Sequence, residues 1–246
     1  MTAVTLKRPW LEFDLGGDMQ VLSWAINRPG FVTARRIFWR EVRNADLSED
    51  FDVARWLSEE LEDRQAADAV TLLTSRDIGR YKQATASVGG TTAHCVATVG
   101  LTNAERVGFR TVRAHPGRGT INIAIRLTAG LSQTGLLETL SIATQARTAA
   151  IIEVGLPLRD GPATGTGTDC IAVAAPIGTC TYAGLHTDIG EAVGRAVYRA
   201  TLAGARDWMD EFASARSEWV TNAQDQRSLQ NPLHRPLPGR TGCNDC

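Results

Sequence analysis

The segment that organises this chain is residues 162–208, PATGTGTDCIAVAAPIGTCTYAGLHTDIGEAVGRAVYRATLAGARDW. Gly165 and Gly167 let the backbone bend through conformations that other residues avoid, and Thr164, Thr166 and Thr168 supply hydroxyl groups at every second position. Asp169 follows where this loop becomes the apolar stretch Cys170–Ala175. A polar turn and a long apolar-periodic stretch come next, so the segment predicts a loop, a strand and a helix in succession.

The helix has its own start signals. Thr187 or Asp188 can cap it, and Glu191 stands three residues after Asp188 as a capping-box partner. The sequence therefore predicts that Asp169, His186, Asp188 and Glu191 lie near one edge of a sheet. A phosphate-binding loop is disfavoured, because such loops follow a strand and open a helix, whereas these glycines lead into a strand. A tight turn without a chemical role is the simplest alternative.

The composition is that of an ordinary globular chain. Its 246 residues are 43% hydrophobic and 22% charged, which is enough for one large domain. Lysine and arginine (26) balance aspartate and glutamate (27), so neither nucleic acid nor an anionic membrane is an expected partner. The charged N-terminus is unlike a signal peptide and no apolar run approaches membrane-spanning length, which predicts a cytoplasmic protein.

Five cysteines are unevenly placed along the chain. Cys95, Cys170 and Cys180 lie in or beside apolar segments, where reduced thiols behave as small hydrophobes, and no disulfide framework is expected. Cys243 and Cys246 have metal-site or redox spacing but lack a second such pair, which favours an incidental feature of the tail.

Hydrophobic patterns predict a mixed sheet covered by helices. Two short strands at residues 10–15 and 19–26 are predicted to form a hairpin around Gly16-Gly17-Asp18. Further strands are predicted at 31–42, 92–101 and 119–127, the last with isoleucine or leucine at every second position. The remaining predictions are helices after Asp52, at residues 75–81 and 136–153, and from Ile189 onward.

These elements give the fold class as α+β, with a single domain over residues 1–219. Residues 220–246 are polar, proline-bearing and aperiodic, and are predicted to form a flexible C-terminal tail. Gly190 and Gly194 are expected to let the last helix approach the sheet closely. Four tryptophans at strand or helix spacing are predicted to be core residues, although flanking a planar ligand is an alternative: Trp10, Trp24, Trp39 and Trp56.

Several separated blocks of sequence carry a family resemblance. They are, in order, SWAINRPGFVTARRIFWREVRNADL (23–47), ATVGLTNAERVG (97–108), PGRGTINIAI (116–125), ATQARTAAIIE (143–153), ATGTGTDCIAVAAP (163–176) and YAGLHTDIGEAVGRAVY (182–198). Together they resemble the adenosylcobinamide amidohydrolase (CbiZ) family over roughly residues 20–210. Several blocks in the right order are far more specific than one glycine loop.

The resemblance implies hydrolysis of the amide that joins the aminopropanol arm to the corrin ring of adenosylcobinamide, giving adenosylcobyric acid for corrinoid salvage. Some similar proteins remodel complete cobamides. The implied substrate is a cobalt-containing corrinoid, and no resident cofactor or metal is expected, since the sequence has no paired-histidine helix or carboxylate cluster. A homo-oligomer is compatible with the sequence. A non-catalytic corrinoid carrier or sensor is the alternative function.

Amide hydrolysis requires an activated nucleophile, donors for the oxyanion and an acid for the amine. Backbone N–H groups from Gly165 to Thr168 are candidate oxyanion donors. Asp169 is the leading candidate to orient water, because the loop-to-strand junction fixes its carboxylate while leaving it open to a cleft. Glu191 is the second candidate for that role, and His186 is the candidate acid because imidazole titrates nearest neutral pH.

A covalent route through Thr168 or Cys170 stays open, although Thr168 has no adjacent base in sequence and an apolar strand disfavours the Cys170 thiolate. Each acid–base candidate also has a purely structural explanation, as a helix cap, a partner of loop amides or a surface residue. The second polar loop supplies Asn103, Glu105 and Arg106, and the strand at 119–127 supplies Asn122, as candidate substrate-binding residues. His94 is interpreted as a structural histidine.

Overall fold

The structure is a computed structural model that describes residues 3–42, 51–109 and 119–229, with side chains up to residue 213. The chain divides into two compact units, Met1–Trp208 and Met209–Cys246. The first unit contains the sheet and the loops that carry the predicted site. Within the described residues, the second unit consists of helix that continues to Leu229.

Twelve strands and three α-helices make up the described part of the chain. The longer strands are β2 (Trp10–Ser23), β3 (Gly30–Glu41), β4 (Val70–Thr74), β5 (Lys82–Val88), β6 (Thr91–Val99), β8 (Ile121–Leu127) and β12 (Cys170–Ala175). The short ones are β1 (Val4–Lys7), β7 (Ala104–Glu105), β9 (Pro157–Leu158), β10 (Gly161–Pro162) and β11 (Gly165–Thr166). The helices are α1 (Val53–Asp63), α2 (Gln133–Val154) and α3 (Asp188–Leu229).

The main sheet has eight strands in the order β4-β3-β2-β12-β8-β6-β5, with β1 paired to β2. The pairs β3–β4 and β8–β12 are parallel and the others are antiparallel, so the predicted mixed sheet is confirmed. The parallel pair β8 and β12 is joined by α2, because parallel strands need a long crossover. The α+β fold class is likewise confirmed, and two short two-stranded ladders, β9–β10 and β7–β11, lie outside the main sheet.

The predicted hairpin at residues 10–26 is wrong. β2 is one continuous strand that stays paired with β3 on both sides of an irregularity between Asp14 and Met19. Gly16, with φ of +79°, donates its N–H to Asp14 Oδ1 at 2.8 Å and makes a bulge there. A bulge bends a strand without reversing it, so Gly16-Gly17-Asp18 kinks β2 where the sequence predicted a turn.

The helix predicted at residues 75–81 is also wrong, because only a 3₁₀ turn at Ile78–Arg80 forms there. Asp77 caps it by accepting the N–H of Gly79 at 2.7 Å. Ile78 is the one apolar residue that this turn buries, which is too little to stabilise a longer helix. The helix after Asp52 is confirmed, and the Asp52 carboxylate accepts the N–H of Arg55 at 3.0 Å.

The main sheet is strongly curved, and one of its faces packs on itself. The rings of Phe13 on β2 and His94 on β6 lie 5.0 Å apart, although β12 and β8 separate their strands. Asn122 on β8 also donates its amide N–H to the Leu73 carbonyl of β4 at 2.6 Å. These contacts close a concave apolar core between distant strands of one sheet.

The helices pack on the sheet through apolar and small residues. α1 buries Leu57 and Leu61 against Trp10 and Phe38, and α2 packs along β12. The expectation for Gly190 and Gly194 is wrong, since a Cβ at Gly190 would meet the Ala183 carbonyl of the preceding loop at 2.6 Å, and one at Gly194 would face Ile142 of α2. The glycine of α3 that approaches the sheet is Gly204, against Val99.

The C-terminal part differs from the predicted tail. α3 continues to Leu229, so residues 220–229 are helical where the sequence predicted aperiodic chain. Residues 230–246, including the pair Cys243 and Cys246, lie outside the described residues, and the boundary at residue 219 stays a prediction. The three described cysteines, Cys95, Cys170 and Cys180, are free thiols. Within the described residues, no helix is both long enough and apolar enough to cross a bilayer.

Candidate active site

The glycine-threonine loop lies where the parallel strands β8 and β12 begin. Asn122 pairs with Cys170 at this end of the sheet, which brings residues 119–121 beside Thr168 and Asp169. The short ladder β7–β11 pairs Glu105 with Gly165, so the second polar loop joins the same cluster. The structure therefore brings together nine of the predicted site residues: Asn103, Glu105, Arg106, Asn122, Gly165, Thr166, Gly167, Thr168 and Asp169.

The Asp169 carboxylate is the centre of this cluster. One oxygen lies 3.2 Å from the N–H of Ile121 and accepts the Thr166 hydroxyl, and the backbone N–H of Thr166 is shared between both oxygens at 3.1 and 3.2 Å. The other oxygen lies 2.6 Å from Arg147 Nη1 of α2. The side chain of Asp169 is 8% exposed and that of Arg147 14% exposed, so the ion pair is buried.

This environment corrects the expectation that Asp169 is open to a cleft. Burial raises the pKa of the Asp169 carboxyl, while the Arg147 guanidinium and the donors on Thr166 and Ile121 act in the opposite direction. Because both carboxylate oxygens already accept hydrogen bonds from the protein, little room is left for a water molecule that Asp169 would have to orient toward the amide. The geometry suits a residue that holds the loop in shape.

Arg147 also explains why position 165 is glycine. Its Nη1 donates to the Thr164 carbonyl at 3.0 Å, so the guanidinium lies across the loop. A Cβ at Gly165 would overlap that guanidinium and come within 2.6 Å of Asp169 Oδ2. Gly167 is less crowded, since a Cβ there would meet Asn103 Nδ2 at 3.1 Å. Gly165 is thus required by the close approach of a charged side chain.

Three of the N–H groups predicted to form an oxyanion site, those of Thr166, Gly167 and Thr168, are bonded within the protein instead. The N–H of Thr166 points to Asp169, that of Gly167 to the Asn103 carbonyl at 3.2 Å, and that of Thr168 to the Thr166 hydroxyl at 3.4 Å. The Thr168 hydroxyl lies 3.1 Å from the Gly119 carbonyl, to which it donates. In this arrangement these donors stabilise the loop itself.

The residues of the second polar loop have distinct surroundings. Arg106 donates to the Pro162 carbonyl at 2.8 Å and lies 5.8 Å from the centre of the Phe109 ring. Asn103 is 8% exposed, and Glu105 is partly buried. Asn122 is 1% exposed and bonded to Leu73, so the structure gives it a role in the sheet core instead of the predicted contact with substrate.

His186 and Glu191 lie at the other end of the sheet, so the predicted grouping with Asp169 is wrong. Asp188, next to both, abuts Gly89 in the turn between β5 and β6, and β12 runs between the two ends. The loop before α3 contacts the start of α2, where Ala183 N–H donates to Glu138 at 2.6 Å. Glu138 contacts this loop and Arg147 contacts Asp169, and the axis of α2 rises about 14 Å between the two residues, so the two regions are far apart.

The start of α3 is capped by Thr187, whose hydroxyl accepts the N–H of Gly190 at 2.9 Å. Glu191 forms an ion pair with Arg195 one turn further along, so the predicted capping box between Asp188 and Glu191 is absent. His186 is exposed beside this cap. His186, Thr187 and Glu191 therefore belong to an ordinary helix start.

Comparison with known proteins decides the family. The model of the family described as adenosylcobinamide amidohydrolase (CbiZ) matches residues 2–213. The chain belongs to this family. The fold described above is therefore the fold of a CbiZ family member, and the resemblance seen in the sequence blocks is confirmed.

Two individual proteins are also similar. An uncharacterized protein of Methanocaldococcus jannaschii is 35% identical over 88 residues, which is 34% of this chain and 34% of that protein. The match thus spans about a third of the relative's length. A crystal structure of a protein from Pyrococcus horikoshii OT3 aligns with a TM-score of 0.45 and 11% identity, over 82% of each chain.

Two residues of this CbiZ family member were not assigned to the site from sequence. Arg147 lies among small and uncharged residues of α2. A single charged side chain on that stretch of helix is the feature of the sequence that could have indicated its role. Trp24 was predicted to be core, yet it is 48% exposed, and its indole Nε1 donates to the Asp169 carbonyl at 2.8 Å. Trp10 and Trp39 are buried as predicted. Trp56, on α1, is partly buried and packs against the apolar cluster that contains Leu57 and Leu61.

Residues that could ligate a metal are dispersed in the described part of the family member. No group of three or more histidine, cysteine, aspartate or glutamate side chains comes together there. His94 lies 3.1 Å from Gln83 Oε1 and edge-on to Phe13, as expected of a structural histidine. Burial raises the pKa of the Cys170 thiol to about 12, which opposes its use as a nucleophile.

Proposed function

We propose that the protein hydrolyses the amide joining the aminopropanol arm to the corrin ring of adenosylcobinamide, or of a related cobamide. The products are adenosylcobyric acid and aminopropanol, and the reaction serves corrinoid salvage and remodelling. The observation that carries the proposal is the family match over residues 2–213. The cluster at the start of β8 and β12 is the proposed site, because loop residues there are fixed by a buried ion pair.

Water is the proposed nucleophile. Its oxygen adds to the amide carbonyl carbon, the C–N bond breaks, and both protons of the water pass to the departing nitrogen, so that a carboxylate and an ammonium group result. We assign the proton acceptor to Glu105, a residue of intermediate exposure that lies opposite Gly165 in the β7–β11 ladder, because both oxygens of the other carboxylate, Asp169, already accept donors from the loop and from Arg147. A base must reach the water directly, and the buried Asp169 carboxylate meets that requirement poorly.

Asp169 and Arg147 are proposed to act through the loop. Their ion pair fixes Thr164 and Thr166, and thereby the exposed residues Gly167 and Thr168 that face the substrate. Asn103 and Arg106 are proposed to bind the peripheral amides of the corrin from the neighbouring loop. A role of this kind follows from position on a loop held by a rigid scaffold.

One observation favours the alternative of a corrinoid carrier or sensor. The loop N–H groups of Thr166, Gly167 and Thr168 are all used within the protein, so an oxyanion hole requires rearrangement of the loop. A binding protein needs no such rearrangement.

Incubation of the purified protein with adenosylcobinamide separates the two functions. Hydrolysis releases aminopropanol and adenosylcobyric acid, which mass spectrometry detects, whereas a carrier binds the corrinoid and leaves it intact. Glu105→Gln is the matched control for contaminating activity. Binding without release by the wild-type protein would overturn the enzymatic proposal.

The reaction is proposed to take place in the cytoplasm and to need no resident cofactor, with the corrinoid's cobalt entering as part of the substrate. Turnover should then persist after dialysis against EDTA. No nucleic-acid partner is proposed, and assembly into a homo-oligomer stays a prediction that light scattering tests.

A further inference from the structure

An exposed tryptophan is bonded to the candidate site. Trp24 follows the end of β2, and nearly half of its surface (48%) faces solvent. Its indole N–H donates to the Asp169 carbonyl at 2.8 Å. This side-chain bond anchors the indole ring to the loop-to-strand junction.

Other exposed apolar side chains extend the surface around Trp24. Ile26, in the β2–β3 connection, is 48% exposed, and Phe31, at the start of β3, is 39% exposed; both lie at the same end of the sheet. Val107 is 78% exposed, and its N–H donates to the Thr164 hydroxyl at 2.8 Å. Exposed apolar side chains therefore lie beside the glycine-threonine loop both at Asp169 and at Thr164.

A rigidly held aromatic ring is suited to a large planar ligand. Stacking on a ring that is already ordered costs little conformational entropy and removes apolar surface of both partners from water. A corrin is a conjugated, largely apolar macrocycle, and its amide arm must reach the loop while the ring rests beside it. The Trp24 indole bonds to the carbonyl of Asp169, so a ring resting on it stands next to the proposed site of cleavage.

We propose that the exposed face of Trp24 binds the corrin macrocycle and thereby places the amide arm at the glycine-threonine loop, an inference that rests on the proposed function. The contact is present in the ground state and in the transition state alike. Uniform binding of this kind lowers KM and leaves kcat unchanged.

Three variants test this subsite: Trp24→Phe, Trp24→Ala and Tyr182→Ala. Tyr182 is the matched control, since it is an exposed aromatic (75%) in the loop before α3, at the other end of the sheet. The dissociation constant for adenosylcobinamide is measured by titration of the purified protein, together with KM, kcat and the midpoint of thermal unfolding.

Trp24→Ala should raise the dissociation constant and KM about tenfold, as expected for loss of one aromatic contact. Its kcat should stay within about threefold of wild type. Trp24→Phe keeps a ring but loses the bond to Asp169, and should raise both constants less than about threefold. Tyr182→Ala should leave them unchanged.

Two results would overturn the subsite. The first is unchanged affinity in Trp24→Ala; the second is an equal effect of Phe and Ala, which would make the bond to Asp169 the important contact. Failure of the proposed function looks different: the wild-type protein then binds adenosylcobinamide without cleaving it, and the affinities still decide the subsite. If the wild-type protein neither binds nor cleaves the corrinoid, both proposals are rejected.

Discussion

Arg147 Nη1 lies 2.6 Å from Asp169 Oδ2 and 3.0 Å from the Thr164 carbonyl, so one side chain of α2 holds both ends of the glycine-threonine loop. The crossover helix and the strand that follows it are thereby joined by a buried ion pair. Because a single partner removed from such a pair leaves a buried uncompensated charge, the pair is open to a quantitative test.

The first prediction concerns the coupling of these two residues. Arg147→Met and Asp169→Asn should each lower the free energy of unfolding by about 3 kcal/mol, since each leaves a buried partner unsatisfied. The double variant should lose less than the sum, with a coupling energy of about 1.5 kcal/mol or more. Urea unfolding of all four proteins measures this cycle. Strict additivity would mean that the ion pair contributes nothing specific.

The second prediction uses the loop glycines as a matched pair. Gly165→Ala should lower both stability and turnover, because its Cβ must displace the Arg147 guanidinium. Gly167→Ala meets only Asn103 Nδ2, at 3.1 Å, and should cost less than about 1 kcal/mol of stability. Thermal unfolding and turnover are measured side by side. Equal stability losses would contradict the assignment of position 165 as the crowded one.

The third prediction concerns the proposed proton acceptor. Glu105→Gln keeps the size of the side chain but cannot take a proton, so turnover should fall by about 10²- to 10⁴-fold. Affinity for adenosylcobinamide should change little. A folded Glu105→Gln protein with near-normal turnover removes Glu105 from the mechanism and returns Asp169 to consideration as the base.

The fourth prediction concerns the two residues at the opposite end of the sheet. His186→Ala and Glu191→Ala should each leave turnover within about twofold of wild type, since neither lies near the Asp169 loop. Glu191→Ala removes only an exposed ion pair with Arg195. A loss of a hundredfold or more in either variant would place the chemistry at the start of α3.

The fifth prediction concerns acid sensitivity. Asp207 of α3 lies 2.9 Å from Arg76 and 3.2 Å from both Arg80 and Lys82. Burial alone would raise the pKa of its carboxyl, but bonds from Lys82 and Arg80 outweigh burial and lower it. A lowered pKa means that the stabilisation is complete above the ordinary range of an aspartate and is lost as the pH falls through the folded-state value.

Asp207→Asn should therefore lower the free energy of unfolding by about 1 kcal/mol at neutral pH, because its partners Arg80 and Lys82 are partly exposed, and its difference from wild type should shrink as the pH falls below about 4. Denaturant unfolding at several pH values measures this difference. A gap that is constant down to pH 2 would show that the charge on Asp207 does not stabilise the fold.

Much of the fold follows from patterns a few residues long. The alternation in residues 121–127 predicts β8, and the start signals beside Thr187 predict α3, because both depend on local geometry. The hairpin prediction failed since Gly16-Gly17 serves a bulge as well as a turn, and only pairing with β3 distinguishes the two.

For this protein, the sequence by itself determined the family, the mixed sheet and the loop on which the candidate site is built. Tertiary structure alone decided which residues share that site. The crossover through α2 brings Arg147 onto Asp169, and the length of β12 separates Asp169 from His186 and Glu191, although these are closer to it in sequence than many residues of the cluster. The physical reason is that a strand of six residues carries the chain about 20 Å across the sheet, a distance that proximity in sequence does not reveal.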